Sequence, residues 1–93
     1  MNSIARHLYD RAESLRRQGQ DMLSEASRLR SEASRTRDNG DRAKKDGDFS
    51  TGDALHRHAD DLESRASDLS SRGNSFVSEA DSFYSQAKAA DND

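Results

Sequence analysis

The sequence contains no cysteine, no proline and no tryptophan. Without cysteine there is no disulfide framework, no zinc-thiolate site and no thiol nucleophile, and the redox compartment leaves no trace. Without proline the strongest helix breaker is missing. Large hydrophobes are scarce as well: seven Leu, one Ile, one Val and three Phe stand against twelve Ala and fifteen Ser in 93 residues. A core of ordinary thickness cannot be built from that set, and the scarcity taken alone reads as disorder. No apolar run is long enough to span a bilayer, and the charged first fifteen residues lack the apolar stretch of a signal peptide. The expectation is a soluble, cytoplasmic chain with no membrane contact, export without a cleaved signal remaining open.

What the chain does have is period. Ala5, Ala12, Gly19, Ala26 and Ala33 fall seven apart, and Leu8, Leu15, Met22 and Leu29 follow the first four of them by three residues. The second half repeats the device with Ala59, Ala66, Gly73, Ala80 and Ala87, interleaved with Leu55, Leu62, Leu69, Phe76 and Phe83. Folding the chain so that paired residue numbers sum to 92 sets Ala5 on Ala87, Ala12 on Ala80, Gly19 on Gly73, Ala26 on Ala66 and Ala33 on Ala59. Small residues let helix axes approach toward the close end of the usual ~8 to 10 Å range, where backbone and Cβ contacts substitute for bulky side chains.

Charge supports the same register. Residues 1–46 carry 11 basic and 8 acidic residues, net +3, and residues 47–93 carry 4 and 10, net −6, so the halves attract. Flanking positions juxtapose Arg11 with Glu79, Gln18 with Arg72, Glu25 with Arg65, Glu32 with His58 and Arg37 with Glu63, none a like-charge clash. Such exposed pairs specify orientation more than they stabilise. Ser24, Ser31, Ser64, Ser71, Ser78 and Ser85 fall on the outward face.

The expected fold is therefore all-α: a long antiparallel two-helix hairpin, an alanine-seamed coiled coil, forming a single domain over residues 1–93. The helices are expected over about 3–39 and 51–89, with a turn region about 40–50; the stretch from Asp38 to Asp53 around it holds three of the five glycines. A run-on of the first helix through Lys44 and Lys45 to a tight turn at Asp46 and Gly47 is the alternative. Ser50 is expected to cap the second helix, with Asp53 at the reciprocal capping position and Phe49 as the staple. The row of Leu8, Leu15, Met22, Leu29, Leu55, Leu62, Leu69, Phe76 and Phe83 is left along one side of the hairpin. A second copy covering it would make a homodimeric four-helix bundle.

Leu55-His56-Arg57-His58-Ala59-Asp60-Asp61-Leu62, with Arg65 downstream, resembles the second helix of the Rop family of plasmid copy-number regulators. Ala12, Leu15, Arg16, Gln18, Met22 and Leu23 are similar to its first helix. The resemblance implies a dimer of helical hairpins and binding to paired RNA loops. At the family's RNA-contacting places only Gln18 matches, while Asp10, Ser14 and Glu25 replace its amide, aromatic and basic groups. In length and helix-turn-helix plan the chain is also similar to the secreted WXG100 family, although Phe49-Ser50-Thr51-Gly52 stands where the Trp-x-Gly would be.

Few residues suggest chemistry. His56 and His58, with Asp60 and Asp61, share a short segment, but residues two apart on a helix point about 200° from each other and cannot close on one metal ion. His7 is an isolated helix-surface residue. Arg28, Arg30, Arg35, Arg37, Arg42, Lys44 and Lys45 form the stretch that could meet nucleic acid or another polyanion, though Glu32, Asp38, Asp41 and Asp46 interrupt it. No catalytic residue, cofactor site or metal site is expected, because no base can be placed near a nucleophile and no glycine-rich phosphate loop is present. The reading is a non-enzymatic helical interaction or regulatory protein that acts through a protein-binding surface. The rivals are a nucleic-acid-binding regulator and a small secreted hairpin.

Overall fold

The structure, a computed structural model, describes residues 2–92. Two helices, α1 at Ser3–Lys45 and α2 at Phe49–Asn92, form an all-α antiparallel hairpin, and no strand occurs among the described residues. The chain divides into two compact units. One joins the residues up to Leu23 to those from Ser70 onward, and the other is Ser24–Leu69.

Helix α1 does not end at Asn39. It continues to Lys45, and the turn expected over about 40–50 contracts to Asp46, Gly47 and Asp48, with α2 beginning at Phe49 rather than Thr51 and ending at Asn92 rather than residue 89. Gly47, at φ 89°, occupies the left-handed region that glycine enters without steric cost. Around it the Asp48 N–H donates to the Ala43 carbonyl (2.9 Å) and the Gly47 N–H to the Lys44 carbonyl (3.0 Å), the paired closure of a Schellman motif. Arg42, Lys44 and Lys45 occupy the last turn of α1, where cations complement the helix dipole.

The cap of α2 is Asp48, not Ser50. Its Oδ1 accepts the Thr51 N–H at 3.2 Å, and Asp53 leaves the capping position to pair with Lys44 Nζ at 2.8 Å. Phe49 is 64% exposed and staples nothing. At the other end Asn2 has two roles: its Oδ1 accepts the Ala5 N–H (2.7 Å), and its Nδ2 donates to the Ala90 carbonyl (2.8 Å), tying the start of α1 to the end of α2.

Within each unit the small residues are the core. Ala5, Ala12, Ala80 and Ala87 in the first unit, and Ala26, Ala33, Ala59 and Ala66 in the second, are all 0% exposed. Burying Ala on Ala brings little apolar area, so stability depends on how closely the backbones approach. In the first unit the backbones leave no room for a side chain at Gly19 and Gly73. A Cβ placed on Gly19 would lie 2.7 Å from the Gly73 carbonyl oxygen and 2.8 Å from Val77 Cγ2; one on Gly73 would lie 2.8 Å from the Gly19 carbonyl oxygen and 3.0 Å from Leu23 Cγ.

The same arrangement occurs at Gly40 and Gly52, which the sequence suggested as turn glycines. A Cβ on Gly40 would meet the His56 ring and, at 3.1 Å, the Gly52 carbonyl oxygen; one on Gly52 would meet the Lys44 side chain and, at 2.9 Å, the Gly40 carbonyl oxygen. At both glycine pairs the residue four positions after one glycine lies over the other: Leu23 over Gly73, Val77 over Gly19, Lys44 over Gly52 and His56 over Gly40. Gly40 and Gly52 are thus a further step of the seam, buried like the rest. This explains why α1 passes through Asp38-Asn39-Gly40 despite about 1 kcal/mol of unfavourable propensity at the glycine.

Candidate functional site

An open groove with an apolar floor lies in the Ser24–Leu69 unit. Ala26, Leu29, Ala33, Ala59, Leu62 and Ala66 form a contiguous core there, with Leu69 packed against it. On the flank three residues past the small positions, Leu29, Leu62 and Leu69 make the floor of an open groove of about 470 Å³, whose rim is Glu25, Arg28, Glu32, His58, Arg65 and Asp68. The apolar row expected along one side of the hairpin is more covered than the sequence suggested. Leu15, Leu29 and Leu62 are buried within the single chain, and Leu8, Met22, Leu55, Leu69, Phe76 and Phe83 are half-buried. Thinning the seam to alanine lets the two helices shield each other's leucines at their base and leaves only the outer faces accessible.

The rim charges take nearer partners than the cross-helix register proposed. Arg28 pairs with Glu25 on its own helix through two contacts, so Glu25 does not reach Arg65; Arg65 lies 3.7 Å from Asp61. Gln18 donates to the Ser14 hydroxyl (3.2 Å) on its own helix. Long side chains with an opposite charge three or four residues away satisfy it locally at less entropic cost than across a seam. The hydrogen bond from Arg28 holds the Glu25 carboxyl below its ordinary value and raises the Arg28 guanidinium. His58 and Glu32 share the rim, as their register implied.

The opposite flank is polar and tied across the helices. Arg37 donates to Glu63 Oε1 (2.6 Å), a cross-helix ion pair that the flanking register named, and also to Asp60 Oδ1 (2.8 Å). Those bonds, to Glu63 first and Asp60 second, raise the Arg37 guanidinium, and Arg37 in turn lowers Glu63. Lys44 lowers Asp53, and the Thr51 side chain, followed by its backbone N–H, lowers Asp48. His56 Nε2 lies 2.8 Å from Asp41 Oδ1. All four shifted carboxylates are depressed, so the stability they contribute is present above the ordinary carboxylate range and is lost as pH falls through their folded values. Thermal melts should therefore hold level near neutrality and decline below about pH 4, and Arg37→Met should flatten that decline by removing the shift at Glu63. A decline centred near pH 6 instead would contradict this assignment.

The candidate polyanion-binding stretch is divided by these pairings. Arg28, Arg37 and Lys44 are engaged with Glu25, with Glu63 and Asp60, and with Asp53, and Arg30 has an interaction of its own. Arg35, Arg42 and Lys45 are exposed. In the other unit the Tyr9 and Tyr84 ring centroids lie 6.0 Å apart with their planes tilted 53°, and the Arg11 guanidinium lies 5.9 Å from the Phe83 ring centroid. The latter displaces the expected pairing of Arg11 with Glu79 by a cation–π contact.

Among the described residues no polar or charged residue is buried, no group of three or more His, Asp or Glu converges to hold a metal ion, and no helix is long and apolar enough to cross a membrane. His56 and His58 diverge, one toward Asp41 on the far flank and the other to the groove rim. Comparison with protein-family models, with curated proteins and with solved structures finds no match.

Proposed function

We propose that this chain is a non-enzymatic helical interaction module, and that the groove floored by Leu29, Leu62 and Leu69 is its working surface, occupied by a second copy of the same chain. The observation that carries the reading is the composition of the groove, an apolar floor inside a rim with Glu25, Glu32 and Asp68 of one sign and Arg28 and Arg65 of the other. An apolar centre within a polar rim is the anatomy of protein interfaces, and a rim that holds both signs complements itself. Two hairpins joined there form a four-helix bundle, which fits a regulator that presents a surface to a macromolecule.

Mass in solution tests this directly. Light scattering over the micromolar to millimolar range should give twice the chain mass, and Leu69→Glu, at a half-buried position, should return a helical monomer. A parent chain that stays monomeric throughout, or a Leu69→Glu variant that still dimerises, would refute the reading.

A second reading, binding of nucleic acid or another polyanion, is favoured by Arg35 and Arg42, seven residues apart on one exposed line of α1 beyond Arg28. Binding that is abolished by Arg35→Ala with Arg42→Ala, and that weakens steeply with salt, would support it over the first.

A further inference from the structure

The rim of the groove carries a polarity that differs between its two edges. On α1, within the Ser24–Leu69 unit, the residue just before each seam alanine is acidic, Glu25 before Ala26 and Glu32 before Ala33. On α2 the equivalent residues before Ala59 and Ala66 are His58 and Arg65. The next row outward, two residues past each alanine, reverses both signs, with Arg28 on α1 and Asp61 and Asp68 on α2. Within one chain each helix neutralises its own two rows, Arg28 with Glu25 and Arg65 with Asp61.

From this we infer that the second copy docks with its turn at the same end as the first, so that α1 of each chain lies against α2 of the other. This rests on the proposed self-association and adds its geometry. Two all-antiparallel bundles can be built by closing the groove on a second copy. If the two-fold axis runs across the helices, α1 meets its own counterpart, and Glu25 and Glu32 of one chain confront the same two residues of the other. If the axis runs along the helices, each α1 edge meets an α2 edge at the same height. Glu25 then faces the level of Arg65, Glu32 that of His58, and Arg28 that of Asp61 and Asp68. Like charges set against each other across an interface are costly and select the register even where opposite ones bring little affinity. The floor leucines serve either arrangement, so the charged rows decide between them.

The absence of cysteine makes the test clean. Asp46→Cys carries a single nitroxide on the exposed turn, and pulsed dipolar spectroscopy on the parent background reads the distance between the two turns. With the turns together the distance is expected below about 25 Å; in the reversed arrangement the helical rise of about 1.5 Å per residue from groove to turn separates them by about 50 Å. Independently, Glu25→Arg with Glu32→Arg should weaken self-association at least tenfold, and adding His58→Glu and Arg65→Glu in the same chain should restore it, helicity being checked by circular dichroism. A long distance between turns in a genuine dimer, or a half-swapped chain that associates like the parent, overturns the arrangement and leaves self-association intact. A monomeric parent overturns both.

Discussion

Replacing Gly19 by leucine should lower the melting temperature by on the order of 10 °C, even though leucine is a far better helix former than glycine. Propensity alone would return about 1 kcal/mol in favour of the variant. Against it stands the first atom of any side chain, which would fall 2.7 Å from the Gly73 carbonyl oxygen, 2.8 Å from Val77 Cγ2 and 3.1 Å from Phe76 Cβ. The first of these is backbone and cannot turn aside, so the helices must separate at that level. Overpacking of a well-packed contact costs roughly 1 to 3 kcal/mol, and separating two backbones belongs at the upper end, for a net loss of about 2 kcal/mol. Gly73→Leu meets the Gly19 carbonyl oxygen at 2.8 Å and should behave alike. Gly47→Ala is the control: nothing lies within 4 Å of its new Cβ, so it reports backbone strain at positive φ without any packing effect. Calorimetry of the three variants checks the set, and a higher melting temperature for either leucine variant would show that the close approach does not hold in solution.

The second large effect is the opposite change, removal of volume. Leu62 is 3% exposed, the most buried leucine of the chain, and sits in the core of the Ser24–Leu69 unit among Ala26, Leu29, Ala33, Ala59 and Ala66. Leu62→Ala should destabilise by about 2 to 3 kcal/mol, the lower half of the range for buried leucine truncations, because a site beside an open groove can partly collapse or admit water. In a chain with seven leucines and few other large hydrophobes that is a large share of total stability, which for small domains is about 5 to 15 kcal/mol. Denaturant titration well below the association range separates loss of fold from loss of pairing. A change under about 0.5 kcal/mol there would mean that the leucine floor contributes to recognition alone.

Both expectations follow from the way the sequence is written. The seam could be read off because a seven-residue step of small side chains is a one-dimensional pattern, and the antiparallel register follows from where Gly19 and Gly73 must meet. Gly40 and Gly52 obey the same step and also sum to 92, yet glycine beside Asp and Asn is equally a turn signal, and composition cannot tell the two uses apart. Only the neighbours decide: Lys44 and His56 lie over these glycines, and that packing carries α1 on to Lys45.

The cap and the rim were less legible for a different reason. Asp48 and Ser50 are both competent caps, and the choice turned on where the Schellman closure released the chain, which depends on Gly47 and its hydrogen bonds to α1. Arg28 and Glu25, or Arg11 and Phe83, found partners through side-chain reach and rotamer, which a register of positions does not contain.

By itself the sequence determined that two helices run antiparallel on a line of alanines and glycines, since helix period and the absence of bulk at every seventh place admit no other close packing. The tertiary structure decided where the helices end, which charges pair, and that Leu29, Leu62 and Leu69 become the floor of a groove rather than a bare stripe. Those outcomes depend on distances between side chains from both helices, and such distances exist only once the backbones have met.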